Sequence, residues 1–227
     1  MHDRSEIAAW RKRTRGELID ARLSIPEAQR REFTATIARL LEGMFAPPCR
    51  GTVAFCWPYR GEVDVRFALR TLRERGATAA LPVVVDKGSP LQFRSWRPGV
   101  AMVGGALGIP APRDTAVVVP DAALVPLVGF DDRGFRLGYG GGYFDRTLAA
   151  LRPKLLTVGV GYERTRLPTI HPQPHDIPMD FIVTEAGVRQ VEDGELRHVP
   201  VAVAAERARE LAASRVVTSE PGLQLPP

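Results

Sequence analysis

Three stretches of the chain carry side chains whose types and spacing can do chemistry. The densest is residues 134–146, GFRLGYGGGYFDR, which follows an apolar segment and opens a helical pattern. Glycines at 138, 140, 141 and 142 allow positive φ and a close approach of backbone to ligand. Successive amides running into a helix N-terminus suit phosphate oxygens. Asp145 would then stand beside those phosphates, which makes sense chiefly with a divalent cation between the two anions. The other reading is a tight turn in which Asp145 complements the helix dipole. The stretch is neither a P-loop, since it has no Gly-Lys-Ser/Thr, nor a dinucleotide fingerprint.

The second stretch is IHPQPHDIPMD over residues 170–180. His171 and His175 have zinc-like spacing, but Pro172 and Pro174 forbid the helix that would put both on one face. An extended loop presenting Asp176 as a hard oxygen ligand is the simpler view, with capping by Asp176 or Asp180 as the structural one. The third stretch, WPYRGEVD over residues 57–64, leaves an apolar run and enters a helical pattern. Beyond the carboxyl end of a strand, Trp57 and Glu62 can offer an aromatic face and a carboxylate to a planar heterocycle; helix capping and core packing explain the same residues.

These side chains need a scaffold, and the pattern supplies one. Helices are expected over residues 5–24, from Ser24-Ile25-Pro26-Glu27 as a start signal to Glu42, over 63–75 closed by Gly76, and over 143–151. Short apolar runs at 52–57, 79–85, 116–119, 124–128, 155–160 and 181–184 read as strands, with a hairpin arm at 91–94. Strands alternating with helices argue an α/β fold, a sheet with helices on both faces. Residues 1–200 form a single domain, and residues 201–227 read as a tail, a short helix and then a frayed end.

Composition bounds the rest. The chain has 227 residues, of which 44% are hydrophobic and 25% charged, the mix of a soluble globular protein. No apolar run approaches the ~20 residues that span a bilayer, and the N-terminus lacks the apolar core of a secretory signal. Two cysteines, Cys49 and Cys56, make no disulfide scaffold, so a cytoplasmic protein is expected. The net charge is +5, and only three of 31 basic residues are lysines. Such a surface attracts polyanions, and arginine favours bidentate pairing with phosphate or carboxylate. A nucleic-acid-binding or non-catalytic nucleotide-binding α/β protein is the alternative; no stretch interleaves aromatic and basic residues in the manner of an RNA-binding sheet.

Taken in order, these segments resemble the 5-formyltetrahydrofolate cyclo-ligase family, also called 5,10-methenyltetrahydrofolate synthetases. The residues that carry the resemblance are Trp57 to Asp64, Leu81-Pro82-Val83, Phe93, Gly108-Ile109-Pro110, Val125-Pro126-Leu127, Arg136 to Arg146 and His175 to Pro178. It covers roughly residues 5 to 185. The resemblance implies an α/β fold, a Rossmann-like three-layer sandwich with a largely parallel or mixed central sheet flanked by helices. It also implies ATP- and magnesium-dependent ring closure of 5-formyltetrahydrofolate by a cytoplasmic monomer with no nucleic-acid or membrane partner. It puts the nucleotide on Arg11, Lys12 and Arg15 and on Arg136, Leu137, Gly138, Tyr139, Gly140, Gly141, Gly142, Tyr143 and Phe144. Folate falls on Trp57, Glu62, Tyr139, Gly140, Gly141, Gly142 and Tyr143, and magnesium on Asp145 and Asp176. Arg136 is expected to neutralise the moving phosphoryl group and Tyr143 to orient the formyl oxygen. The family's basic N-terminal motif, Lys-x-x-Leu-Arg, is here Arg11-Lys12-Arg13-Thr14-Arg15, so arginine stands in the usual lysine position and Lys12 is a second candidate for the ammonium.

Overall fold

A computed structural model of the chain describes residues 3–45, 51–152 and 154–217; Cys49 and the end of the expected tail lie outside them. Helices α1 (Arg4–Leu23) and α2 (Glu27–Met44) precede strand β1 (Thr52–Phe55), helix α3 (Arg66–Glu74) and strands β2 (Thr78–Val83) and β3 (Gln92–Trp96). Then come β4 (Met102–Gly104), β5 (Pro110–Pro112), β6 (Ala122–Pro126), β7 (Gly129–Asp131) and β8 (Arg136–Leu137). The chain continues through α4 (Tyr143–Ala150), β9 (Leu156–Val160), β10 (Arg166–Leu167), β11 (Phe181–Thr184), β12 (Gly187–Glu192), β13 (Glu195–Val199) and α5 (Val201–Val217).

The main sheet has the order β13-β12-β11-β9-β6-β1-β2-β3. Its centre, from β11 to β2, is parallel, and β3, β12 and β13 add antiparallel edges. Alternation along each strand sorts side chains into two layers. Val53, Phe55, Leu81, Leu124, Val158 and Phe181 pack with Leu41 of α2, Leu69 of α3 and Ala204 of α5. Ala54, Ala80, Ala123, Val125 and Ile182 face the other way, toward Leu148 of α4. Small residues on that second face of β1, β2 and β6 let the covering layer sit close. The third cluster joins Leu18 and Ile19 of α1 to Val128, Leu137 and Ile170, seating α1 over the small sheet β10-β7-β8. No described helix is long and apolar enough to cross a membrane.

Several sequence expectations change. Ser24 is the C-cap of α1, not the N-cap of α2: its φ of −74° and ψ of −6° are helical and its N–H still reaches Asp20 O, while Pro26 holds the extended N-cap conformation. The third helix starts at Arg66 and not at Val63, because Arg60 and Gly61 take positive φ (46° and 74°) and Asp64 accepts from the Arg66 amide. The chain before it therefore stays a loop, and Glu62 belongs to that loop. Residues 116–119 form no strand; Val117 makes an isolated bridge to Arg94, and Val117 and Val119 are exposed.

The largest change concerns the tail. Residues 201–217 form a 17-residue helix whose Ala204, Ala205 and Ala208 are buried, so the fold continues past residue 200. An alanine stripe packs closely without looking like a hydrophobic face. The β12–β13 hairpin was also not expected, although Asp193-Gly194, at φ 50° and 77°, is a strong turn signal for that geometry.

Candidate active site

In an open parallel sheet, ligands bind beyond the carboxyl ends of the strands, where the strand order reverses. Here β1 connects through α3 to β2 on one side, while β6 connects through α4 to β9 on the other. The crevice between β1 and β6 opens into a cavity of about 520 Å³, whose lining includes Cys56 and Trp57 from the end of β1 and Pro126 from the end of β6. That volume lies in the usual range for a small-molecule site.

One end of the cavity is cationic. On α1, positions 11, 15, 18 and 22 fall on one helix face, and Arg11 and Arg15 reach the cavity wall. Gly138 to Gly142 form the facing loop. Gly140 and Gly142 adopt φ of 93° and 64°, and Gly142 is the N-cap of α4. Arg15 Nε donates to Gly138 O at 2.7 Å, and Arg146 Nη2 donates to Gly141 O at 2.7 Å. Burial, then the nearby Arg11, pulls the Arg15 guanidinium below the ordinary arginine range; burial does the same to Arg136, opposed by Asp145. Cations desolvated beside one another favour an anionic ligand.

The two aspartates are each tied to an arginine by one oxygen. Asp145 Oδ1 pairs with Arg136 Nη2 at 3.0 Å and accepts from the Ile177 amide at 3.1 Å. Asp176 Oδ2 pairs with Arg11 Nη2 at 2.9 Å and accepts from the Gln173 amide at 2.7 Å. Among the described residues neither second oxygen accepts a hydrogen bond, although His175 Nε2 stands 3.9 Å from Asp176 Oδ1. No group of three or more ligating side chains capable of holding a metal occurs among the described residues. Two free carboxylate oxygens fit a magnesium ion that completes its shell with phosphate and water, and would not make a cage for a bare ion.

The other end is aromatic and carboxylic. Trp57 lines the cavity, with the Arg66 guanidinium 4.5 Å from its ring centroid. Glu62 is 8% exposed. Tyr139 Oη donates to Glu62 Oε1 at 2.7 Å, and the Tyr59 amide donates to Oε2 at 3.0 Å. Burial pushes this carboxyl up, and the Tyr139 hydroxyl, Arg22 and the Tyr59 amide hold it back. Leu81, Val83, Leu91, Ile109 and Ala111 close an apolar wall between the two ends.

The cavity thus gathers Arg11, Arg15, Trp57, Glu62, Arg136, Gly138 to Phe144, Asp145 and Asp176. Two expected residues stand apart from it. Lys12 is exposed on the outer face of α1, a turn position away from Arg11 and Arg15. Leu137 is sealed in the third core cluster, because strand alternation turns it away from the side that Arg136 faces. Arg136 itself is 6% exposed, with Nη1 donating to Ile177 O. Sequence reasoning missed Arg22 and Tyr59, and the spacing 11, 15, 22 on one helix was the available signal for the first. Leu81, Val83 and Ile109 of the apolar wall lie in segments that carried the resemblance but were given no site role, and Ala111 of β5 left no signal.

Comparison with known proteins bears on the family and the fold. A family model described as the 5-formyltetrahydrofolate cyclo-ligase family matches residues 7–185. A 5-formyltetrahydrofolate cyclo-ligase of Mycolicibacterium smegmatis is 32% identical over 179 residues, covering 75% of this chain and 91% of the relative. The protein of that name from Escherichia coli K12 is 33% identical over 144 residues, covering 60% and 79%. Among solved structures, Aquifex aeolicus 5,10-methenyltetrahydrofolate synthetase superposes with a TM-score of 0.69 at 30% identity, covering 84% of this chain and 96% of that one. The Mycoplasma pneumoniae synthetase, at 24% identity, supports the fold, with a TM-score of 0.64 and coverage of 77% and 98%. Nothing in these matches favours a non-catalytic nucleotide- or nucleic-acid-binding protein. On the fold, the cavity and these relatives together, the chain belongs to the 5-formyltetrahydrofolate cyclo-ligase family and is a ligase.

Proposed function

We propose that the chain closes 5-formyltetrahydrofolate to 5,10-methenyltetrahydrofolate with ATP and magnesium, releasing ADP and phosphate. The formyl carbon is a poor electrophile because N5 donates into its carbonyl. Attack of the formyl oxygen on the γ-phosphorus breaks the bond to ADP and makes that oxygen part of a leaving group. N10 of the same molecule then attacks the carbon, with the advantage of an intramolecular reaction. The carbon–oxygen bond breaks, phosphate leaves with the electron pair, N10 loses its proton, and the N5–C–N10 bridge keeps the positive charge.

The side chains bind, orient and balance charge. Arg11, Arg15 and the amides of Gly138 to Gly142 take the phosphates. Arg136 holds Asp145 in place and adds positive charge beside the γ-phosphoryl group. Tyr143 orients the formyl oxygen, Glu62 accepts from the pterin edge, and Trp57 lies along the folate. Asp145 and Asp176 would hold magnesium, which when bound supplies charge to the phosphate oxygens. The observation that carries this reading is one cavity lined by the glycine loop and arginines at one end and by a buried carboxylate among aromatics at the other. Purified chain incubated with ATP, magnesium and 5-formyltetrahydrofolate should develop the absorbance of the conjugated methenyl product. Absence of that absorbance beside a working control overturns the reading.

Gly142→Ala should raise KM for ATP several-fold. A Cβ at φ 64° would lie 2.9 Å from Arg146 Nη1, and left-handed backbone costs a non-glycine residue about 1–2 kcal/mol. Nucleotide titration checks the loop, and urea denaturation should show a loss of about that size.

A further inference from the structure

Arg22 is the largest fully buried side chain among the described residues, and it does not line the cavity. Its guanidinium nevertheless sits where four segments cross. Nε donates to Arg60 O at 2.9 Å, Nη1 to Leu127 O at 3.2 Å, and Nη2 to the Tyr139 hydroxyl at 2.8 Å. Nη1 also stands 4.0 Å from Glu62 Oε1. A guanidinium only donates, so the Tyr139 oxygen accepts from Arg22 and its own proton is free to point at Glu62 Oε1, 2.7 Å away. The other carboxylate oxygen is fixed by the Tyr59 amide. Each oxygen of Glu62 thus has one protein donor, which leaves both able to accept a second bond side by side.

We propose that Arg22 and Tyr139 are positioning residues that fix Glu62 as a twin acceptor for two adjacent N–H donors on the edge of a heterocycle. The inference rests on the reading of Glu62 as the residue that takes the pterin, and adds how its carboxylate is oriented and kept charged. Tyr139 belongs to the glycine loop by position, yet its hydroxyl serves the folate end. Its ring packs edge-on against Tyr59, 5.6 Å between centroids, which holds the hydroxyl in place.

Charge follows from the same contacts. Arg22 from α1, the Tyr139 hydroxyl from the glycine loop, and the Tyr59 amide and Cys56 thiol from the end of β1 surround Glu62. Burial, then Glu62 itself, pushes the Cys56 thiol far up, so it stays neutral. Burial raises the Glu62 carboxyl, and the hydroxyl and guanidinium lower it. Removing the hydroxyl therefore raises the carboxyl further, and the acidic limb of ligand binding moves to higher pH.

Tyr139→Phe keeps the ring and deletes one oxygen. The measurement is the Kd of 5-formyltetrahydrofolate without nucleotide, read by quenching of tryptophan fluorescence from about pH 6 to about pH 9, with KM and kcat determined alongside. Loss of a hydrogen bond to a charged group should weaken binding roughly tenfold near neutral pH. The defect should shrink as pH rises and appear in KM for folate, with KM for ATP unmoved. Arg22→Lys keeps a charge without the fork and should shift the profile in the same direction; its thermal midpoint reports any loss of stability separately. A defect equal at every pH, or none, overturns the inference and leaves a merely structural arginine. Wild-type protein that fails to bind 5-formyltetrahydrofolate overturns the reading of the site instead.

Discussion

Glu62→Gln lowers kcat/KM for 5-formyltetrahydrofolate by roughly 10²- to 10⁴-fold, most of it in KM, with KM for ATP close to that of the unaltered protein. The size follows from two lost hydrogen bonds to a charged acceptor, at about 1.5–3 kcal/mol each. Glutamine is close in shape, yet it must point an NH₂ either at the Tyr59 amide, at the Tyr139 hydroxyl or at the incoming N–H donors. Toward the Tyr59 amide or the incoming donors this sets donor against donor, and toward Tyr139 it forces the hydroxyl proton away to the more distant Tyr59 O, in a site where Glu62 is 8% exposed and water gives little relief. The effect should fall on KM because the proposed contact is to an edge of the heterocycle at which no bond forms or breaks, so the lost contact is common to ground and transition states. The acidic limb that titration of Glu62 gives the wild-type kcat/KM profile should also vanish. Steady-state kinetics with each substrate varied in turn, repeated across pH, checks all of this. A Gln variant within a few-fold of wild type removes Glu62 from the folate site.

Much of the scaffold was legible because its signals are local. FIVT at 181–184 is a strand with the expected bounds, and the α/β alternation gives the layers. Failures came where long-range contacts decide. The loop that carries Glu62 looked like the start of a helix, but Arg60 and Gly61 at positive φ and the Asp64 contact to Arg66 delay it. Helix α5 looked weak because its buried residues are alanines, whose value lies in close approach to α2 and not in hydrophobic area. In the site, the glycine loop and its acidic neighbour were visible as composition. The pairing of Asp176 with Arg11 was not, since partners separated by 165 residues leave no local pattern, and that of Asp145 with Arg136 depends on how the glycine loop between them folds back.

The position of α1 ties the two ends of the site together. Arg11 and Arg22 lie eleven residues apart on one face, a rise of about 16 Å. One helix therefore carries the cations expected at the phosphates and the guanidinium that braces Glu62. The cluster of Leu18 and Ile19 against Val128, Leu137 and Ile170 fixes its height over the cavity. A shift of α1 would move both ends at once.

Asp145→Asn should lower kcat by about 10²-fold and move the magnesium dependence to concentrations about 10- to 100-fold higher, the usual range for disturbing a metal site. Asparagine preserves shape and can still accept from the Ile177 amide through its carbonyl oxygen. What it loses is one negative charge, and that charge has two duties. Oδ1 balances the buried Arg136 at 3.0 Å, while the oxygen without a hydrogen-bond partner among the described residues is the one that the proposed function assigns to magnesium. With the charge gone, Arg136 faces only Asp176 as a nearby counter-charge, and the repulsion from Arg11 persists. The cation is then offered a weaker donor in a more positive site, and both changes oppose its binding. Stability should fall by about 1–3 kcal/mol, less than the cost of breaking a buried pair outright, because the hydrogen bond to Arg136 survives in neutral form. Magnesium titration at saturating ATP and folate, beside denaturant unfolding of the same preparation, separates the two duties. A lower midpoint of unfolding with an unchanged magnesium curve would mean that Asp145 serves Arg136 alone and that the cation is held elsewhere.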